Sequence, residues 1–294
     1  MKICVKALTD VGMVRTNNED TFLVCPDLEK PDWSPTSGYI PLGKSGSLVI
    51  VADGMGGAKA GEVASSLAVD SIRRFVLEND LPLDGTDAEK CAFLETSISQ
   101  AASVLMERVE SDPETIGMGT TIVLLWLIDG KAHITWCGDS RCYVFHPDRG
   151  LQPLTKDHSY VQELVDQGKI RPEEAFGHPD GNLITKGLGD IDADATPSSL
   201  TYGVTDGDVF LLCSDGLCGY CRDVQVEDIL YARLDDMGAC RDELLEAALH
   251  VGGEDNITIA LLATLPDDAS KPRVRFCTRL KRAFRRGGRP SRGR

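Results

Sequence analysis

Short apolar runs, several of them ending in an acidic residue, are the feature that most restricts how this chain can fold. The run 47–52 is rich in Val and Ile and predicts a buried strand. Further strands are predicted at 120–128, 132–137, 141–146, 209–213 and 257–264. Asp129-Gly130 separates two of these runs and favours a tight type I′ turn, which joins antiparallel neighbours.

Two long segments show helical spacing between groups of these strands. In 58–79 and in 87–110, apolar residues recur every three to four positions along one face. Strands that follow one another through tight turns, with long helices between groups of them, are typical of an α+β fold and not of alternating βαβ units.

Composition narrows the class of protein. The chain has 294 residues, of which 42% are hydrophobic, enough for a substantial core. Its 10 cysteines are scattered, which favours a reducing cytoplasm, and no run is long enough for a signal peptide or a membrane span.

Residues 271–294 hold 11 of the 31 Lys and Arg, so 1–270 carries 20 basic and 46 acidic residues, a net charge of −26. Such an acidic body argues against a nucleic-acid partner.

Four aspartates stand at the ends of predicted strands: Asp53, Asp139, Asp215 and Asp255. Asp-Gly pairs are also ordinary turn chemistry, and Asp129-Gly130 is assigned to a turn on that ground. Four such carboxylates, with Arg141 as the only cation placed locally among them, favour a metal site instead. Ligands that are all oxygen point to Mg²⁺ or Mn²⁺ and not to zinc.

The N-terminal stretch adds a group suited to phosphate. Arg15 stands a few residues ahead of Glu19 and Asp20, so a guanidinium fork lies near further metal-binding oxygens. Together with the strand-end aspartates, this predicts phosphate chemistry.

Seven motifs follow one another along residues 5–264: "DVGMVRTNNED", "VADGMGGAKAGEVAS", "GMGTT", "CGDSR", "LTKDHS", "LLCSDGL" and "GGEDNITI". In this order and spacing they resemble the metal-dependent serine/threonine phosphatases of the type 2C (PPM) family, especially its bacterial members. The resemblance implies a sandwich of two antiparallel β-sheets flanked by helix pairs, with metals in a cleft at one sheet edge. It also implies hydrolysis of phosphoserine and phosphothreonine in proteins by a metal-activated water, opposing Ser/Thr kinases. The alternative is a two-metal phosphoesterase that acts on small phosphate esters.

The resemblance assigns a set of metal ligands: Asp20, Asp53, Gly54, Asp139, Asp215 and Asp255. Asp53 would bridge two Mn²⁺ or Mg²⁺ ions, the Gly54 carbonyl would complete the second, and Asp215 and Asp255 would bind the first. Asp139, with Asp215, would hold a weaker third ion.

The remaining assignments concern the reaction itself. Asp20 would act mainly through bound water, Arg15 would bind phosphate, and Arg15, Asp53 and Asp215 are the predicted catalytic residues. Some relatives have histidine after the Asp-Gly pair, whereas this chain has Met55, so water is the predicted proton donor to the leaving alkoxide.

Three segments stay open to two interpretations. A Gly-, Pro- and charge-rich segment at 163–190 would form a flap beside the site or an ordinary surface loop, and its His178 is interpreted as solvated. Cys218 and Cys221 resemble a redox pair but are assigned to packing, with reversible redox inhibition as the alternative.

The third segment is the basic tail. We expect a catalytic domain at 1–266 and a tail at 267–294, which would lie on an anionic membrane surface as a basic amphipathic helix or fold back on the acidic body. The expected protein is a cytoplasmic monomer, peripheral to the inner membrane surface in the first case.

Overall fold

Antiparallel strands and the helices that cover them make up most of the described chain. The structure is a computed structural model and describes residues 1–56, 60–189 and 194–269. Its strands are β1 (Lys2–Asp10), β2 (Asp20–Cys25), β3 (Ile40–Pro41), β4 (Ser47–Met55), β5 (Gly119–Thr120), β6 (Ile122–Ile128), β7 (Lys131–Cys137), β8 (Arg141–His146), β9 (Gly150–Pro153), β10 (Ser198–Gly203), β11 (Val209–Cys213) and β12 (Ile257–Leu265). Its helices are α1 (Ala60–Glu78), α2 (Asp87–Ser111), α3 (Tyr160–Asp166), α4 (Pro172–Ala175), α5 (Asp215–Cys218), α6 (Asp223–Ala232) and α7 (Met237–His250).

The strands form two sheets. The first has the order β3-β1-β12-β11-β8-β9, the second has the order β10-β7-β6-β4-β2, and β5 pairs with β4. At the turn between β6 and β7, Asp129 has φ 50° and Gly130 has φ 70°. Both values are left-handed, as a type I′ turn requires, so the predicted hairpin is confirmed.

The core has three layers of apolar contacts. Residues of β1, β4, β6 and β12 interdigitate between the two sheets, while α1 and α2 cover the outer face of the second sheet and α5, α6 and α7 that of the first. Strands covered on both faces need no polar side, which explains why every residue of β6 and of β12 is buried. The predicted α+β sandwich of two antiparallel sheets flanked by helices is confirmed.

Several elements were absent from the sequence prediction, most importantly β1 and β2. Lys2 and Lys6 interrupt the apolar pattern of β1, yet this strand pairs with β12 along its whole length, from Lys2 opposite Leu265 to Asp10 opposite Ile257. Strand β10 and helices α3, α6 and α7 were also not predicted. The helix expected from residue 58 is described from Ala60 onward.

The predicted flap, 163–190, is described up to residue 189. It contains most of α3 and all of α4. The Tyr160 N–H donates to the Leu183 carbonyl at 2.8 Å, and Leu188, which is fully buried, exchanges backbone hydrogen bonds with Thr120. Leu183 is therefore tied to the start of α3, and the end of the segment is tied to the body of the protein through Thr120.

Of the predicted tail, 267–294, the structure describes residues 267–269. The Met1 amino group forms an ion pair with Asp267 at 2.7 Å, and Lys2 Nζ donates to the Ala269 carbonyl at 3.1 Å. The predicted amphipathic helix lies outside the described residues. Within the described ranges, each helix is too short or too polar to cross a membrane.

Candidate active site

Asp53 and Asp20 lie side by side at one end of the second sheet. Strand β2 begins with Asp20, and the antiparallel register of β2 and β4 places it directly opposite Asp53. Burial, together with the charges of Asp20 and Asp215, raises the pKa of Asp53 well above its ordinary value. The two carboxylates therefore share one poorly solvated space.

The first sheet contributes two further carboxylates to this space. Asp215 stands two residues after β11 ends and opens α5, while Asp255 stands two residues before β12 begins. Burial, and then the charge of Asp255, raises the pKa of Asp215, whereas a hydrogen bond with Asp53 opposes the shift. The edge where the two sheets meet thus brings together Asp53, Asp215 and Asp255.

Asp139 joins the group from the turn between β7 and β8. It is buried, and burial, followed by the charges of Asp215 and Asp157, raises its pKa well above the ordinary value. Arg141 does not neutralise it by a direct ion pair, because the guanidinium is bound in a two-point contact to Asp157, at 2.8 and 2.6 Å.

A buried serine supports Asp20, and the sequence analysis did not assign it a role. Ser214 Oγ donates to Asp20 Oδ2 at 2.7 Å and accepts the Thr258 N–H at 2.9 Å. Burial raises the pKa of Asp20 to about 7, and the Ser214 hydrogen bond opposes that rise. Ser214 thereby links a carboxylate of the second sheet to the first sheet. Its position before "DG" in "CSDG" was the available signal.

Asn256 was also missed, although it lies in the quoted motif "GGEDNITI". Its Nδ2 donates to the carbonyls of Val11 and Asn17 at 3.0 and 2.9 Å, and its Oδ1 accepts the Glu19 N–H at 2.8 Å. One buried side chain therefore fixes the N-terminal loop, which carries Arg15, against the Asp255 loop.

Close packing of the backbone around position 54 requires a glycine there. A Cβ atom at this position would lie 2.1 Å from the Gly61 carbonyl oxygen and 2.5 Å from that of Glu19. No side chain fits between these backbones, because real Cβ contacts do not approach so closely. Glycine here lets the first turn of α1 pack against the end of β4.

Arg15 lies at the solvent side of the site. Its guanidinium donates to Asp255 Oδ2 at 2.8 Å, and about half of its side chain, 52%, is exposed. The predicted phosphate-binding group therefore stands beside one of the predicted metal ligands, where an incoming phosphate can reach it.

The residues present suit a hard divalent cation. The group offers only oxygen donors, which Mg²⁺ and Mn²⁺ prefer, and Asp20 Oδ1 is buried without a hydrogen-bond partner among the described residues. A nearby cation would favour the charged forms of carboxylates that now repel one another. As they stand, no three or more Asp, Glu, His or Cys side chains in the described ranges form a ready ion-binding group. Because Arg15 holds Asp255, we expect cation binding to draw Asp255 away from that ion pair.

The thiols next to the site favour the packing interpretation. Cys218 and Cys221 are buried and not bonded to each other. A hydrogen bond with Cys213, together with burial, raises the pKa of the Cys218 thiol, and burial raises that of Cys221. Thiols that stay protonated are poor nucleophiles.

His178, in the flap, accepts the Asp180 N–H at 3.1 Å within its own loop.

Comparisons with known proteins point to one family. A family model described as protein phosphatase 2C matches residues 40–250. The serine/threonine protein phosphatase PstP of Mycobacterium tuberculosis is 33% identical over 255 residues, which are 87% of this chain and 44% of PstP. The chain thus spans about half the length of that relative. The serine/threonine phosphatase stp of Listeria monocytogenes is 34% identical over 254 residues, covering 86% of this chain and 93% of stp.

A solved structure extends the likeness to three dimensions. The catalytic domain of PstP in complex with 2 manganese ions superposes with a TM-score of 0.71 at 30% identity, covering 90% of this chain and 99% of that one. Fold and sequence therefore agree, and the chain belongs to the protein phosphatase 2C family.

Proposed function

We propose that this protein hydrolyses phosphoserine and phosphothreonine esters in proteins with the help of Mn²⁺ or Mg²⁺. The observation that carries the proposal is the meeting of carboxylates from both sheets at one edge, with Arg15 on the solvent side. Such a group costs free energy as bare carboxylates and gains from bound cations. The metal dependence of the family and the manganese-containing relative support it.

The proposed ligand set is that of the sequence analysis. Asp53 would hold both core ions, the Gly54 carbonyl would serve the second, and Asp215 and Asp255 would serve the first. Asp139, with Asp215, is assigned to a weaker third ion. When bound, a divalent pair lowers the pKa of a water and supplies Lewis acidity to a phosphoryl oxygen.

The other residues position the ester. Asp20 lies opposite Asp53 and is proposed to act mainly through bound water. Ser214 fixes its orientation through a 2.7 Å hydrogen bond. Arg15 exchanges its contact with Asp255 for the non-bridging oxygens of the phosphate, which match its fork of donors. Charge stabilisation by such fixed donors is the main protein contribution expected in phosphoryl transfer.

The cleft beside the site has room for more than one phosphate group. A cavity of about 920 Å³ reaches Asp139 and Asp215 and extends along the flap as far as Asn182. Because cavities of about 300–1,000 Å³ also serve small molecules, the preference for protein substrates rests on the relatives. The serine/threonine phosphatase relatives support the same class, and we propose a cognate Ser/Thr kinase among the partners.

For the chain as a whole we propose a monomeric catalytic domain at 1–266, including the flap at 163–190, followed by the basic tail at 267–294. The tail holds the protein at an anionic inner membrane surface or folds onto the acidic body. A variant truncated after Pro266 separates these cases in co-sedimentation with anionic vesicles at physiological salt. If the tail binds the membrane, the full-length protein co-sediments and the truncated protein does not.

The test of the central proposal is a phosphothreonine peptide assayed with and without chelator. Activity should vanish with chelator and return with Mn²⁺ or Mg²⁺, because the carboxylate oxygens prefer hard cations. A parallel series with small sugar phosphates measures the alternative substrate class. Recovery with zinc alone, or a higher kcat/KM on the small esters than on the peptide, would refute the proposal.

A further inference from the structure

The cleft beside the carboxylates has one wall made by the flap and another made by α5 and the start of α6. Its lining includes Asp139 and Asp215 at one end and Phe176, Tyr220 and Arg222 farther along. A substrate peptide whose phosphorylated residue reaches the carboxylates would therefore run past Arg222. This inference rests on the proposed function.

In the part of the chain that the structure describes, Arg222 is the cation of the cleft for which no acidic partner is found. Arg141 is bound to Asp157 at 2.6 Å, and Lys156 is bound to Asp166 at 2.7 Å. Among the described residues, no carboxylate lies within ion-pair distance of Arg222. In a body of strongly negative net charge, an unpaired guanidinium facing a cleft is a binding group for an anion.

The guanidinium of Arg222 is also held in place. Its central carbon lies over the ring of Phe176, a flap residue, at 4.2 Å from the ring centroid. A guanidinium held over an aromatic ring still offers N–H donors to a carboxylate or phosphate. Such preorganisation lowers the entropy cost of binding.

The acidic groups of the same cleft are placed differently. Asp223 accepts a hydrogen bond from the Tyr143 hydroxyl at 3.1 Å, and Asp157 is bound by Arg141. Glu173 lies on the flap, exposed to solvent. We propose that Arg222 is a specificity-determining residue that binds an anionic side chain of the substrate, so that phosphoproteins with an acidic residue near the phosphorylated Ser or Thr are preferred.

The experiment compares phosphothreonine peptides in which a single Glu occupies, in turn, each position on either side of the phosphothreonine, with Gln at the same position as reference. We expect wild-type protein to prefer Glu over Gln at one or two positions by about 3-fold to 10-fold in kcat/KM, the range of a partly exposed charged contact. Arg222→Ala should abolish the preference, and Phe176→Leu should reduce it, because the ring no longer orients the guanidinium. Peptides with a second phosphate in place of Glu should follow the same pattern.

Two controls make the result specific. Lys156→Ala removes a cation of the same cleft that is already paired, so it should leave the ratio of Glu to Gln peptides unchanged. Hydrolysis of a small aryl phosphate and inhibition by inorganic phosphate should be the same in Arg222→Ala as in wild type, since neither ligand reaches Arg222.

The outcomes distinguish this inference from the proposed function. Equal kcat/KM for Glu and Gln peptides at every position in the wild type, or an equal loss of preference in Lys156→Ala, would overturn the role of Arg222. Weaker inhibition by phosphate in Arg222→Ala would place the residue at the phosphate itself and would also overturn it. Metal-dependent peptide hydrolysis would remain in all of these cases, whereas its absence would refute the proposed function.

Discussion

Ser214→Ala tests whether the two sheets are joined at the site by one buried hydroxyl. Ser214 is fully buried, donates to Asp20 Oδ2 at 2.7 Å and accepts the Thr258 N–H at 2.9 Å. Alanine keeps the shape of the residue apart from one atom and removes both hydrogen bonds at once. The substitution therefore leaves a buried carboxylate oxygen and a buried N–H without this partner.

The magnitude follows from the two groups. A hydrogen bond to a charged acceptor contributes about 1.5–3 kcal/mol, and an unpaired buried donor costs about 1–3 kcal/mol. The pKa of Asp20, raised to about 7, means that part of the protein holds this carboxyl protonated at neutral pH, which reduces the first figure. We expect the free energy of unfolding to fall by about 2–4 kcal/mol.

The assay is urea unfolding in the presence of chelator, followed by circular dichroism. Ser97→Ala is the matched control, because Ser97 is also fully buried but its Oγ donates only to the Leu94 carbonyl of its own helix, at 2.7 Å. We expect this control to lose less than about 1 kcal/mol. Ser214→Ala should also raise the Mn²⁺ concentration needed for half-maximal activity about 10-fold to 100-fold, the range for residues that orient metal ligands. Equal loss of stability in both variants, with unchanged Mn²⁺ demand, would refute the reasoning.

Further predictions concern single residues. Asp53→Asn should nearly abolish turnover by removing the bridging charge, whereas Arg15→Ala should mainly raise KM without weakening metal binding; equal metal loss in both, measured by calorimetry, would contradict the assignment. Asp139→Ala should leave two ions countable by metal analysis while slowing phosphopeptide turnover, so an undiminished rate at low metal would make a third ion dispensable. Burial and Lys186 lower the pKa of His158 from 6.5 to about 4, so the unfolded state binds the extra proton and stability should fall as pH falls from about 6.5 to 4. His158→Gln should flatten that part of the stability curve, and an unchanged slope in urea titrations would contradict it.

The prediction of the fold succeeded where burial is continuous along the chain. Strands β6 and β12 are covered on both faces, so their apolar runs are unbroken and visible in the sequence. Strand β1 carries Lys2 and Lys6 and was missed, because its place is fixed by nine residue pairs with β12 and not by its own pattern. A strand whose position is fixed by a partner so distant in sequence need not show a periodic apolar pattern of its own.

The residues of the candidate site also fall into two groups, those that the sequence indicated and those that only the structure revealed. Asp53, Asp139, Asp215 and Asp255 could be selected because four carboxylates stand at strand ends with Arg141 as the only cation placed locally among them. The support given by Ser214 and Asn256 could not be predicted, since serine and asparagine in turns are ordinary and their partners lie far away in sequence.

The sequence by itself determined the strands with unbroken apolar runs, the tight turn between β6 and β7, and the carboxylates that stand at the ends of those strands, because these depend on side-chain chemistry within a few neighbouring residues. Only the tertiary structure decided that Asp20 stands opposite Asp53, that Arg15 is paired with Asp255, and that Arg222 stacks on Phe176 without an acidic partner among the described residues. Strand register and the approach of distant loops fix these contacts, and both are set by packing of the whole domain.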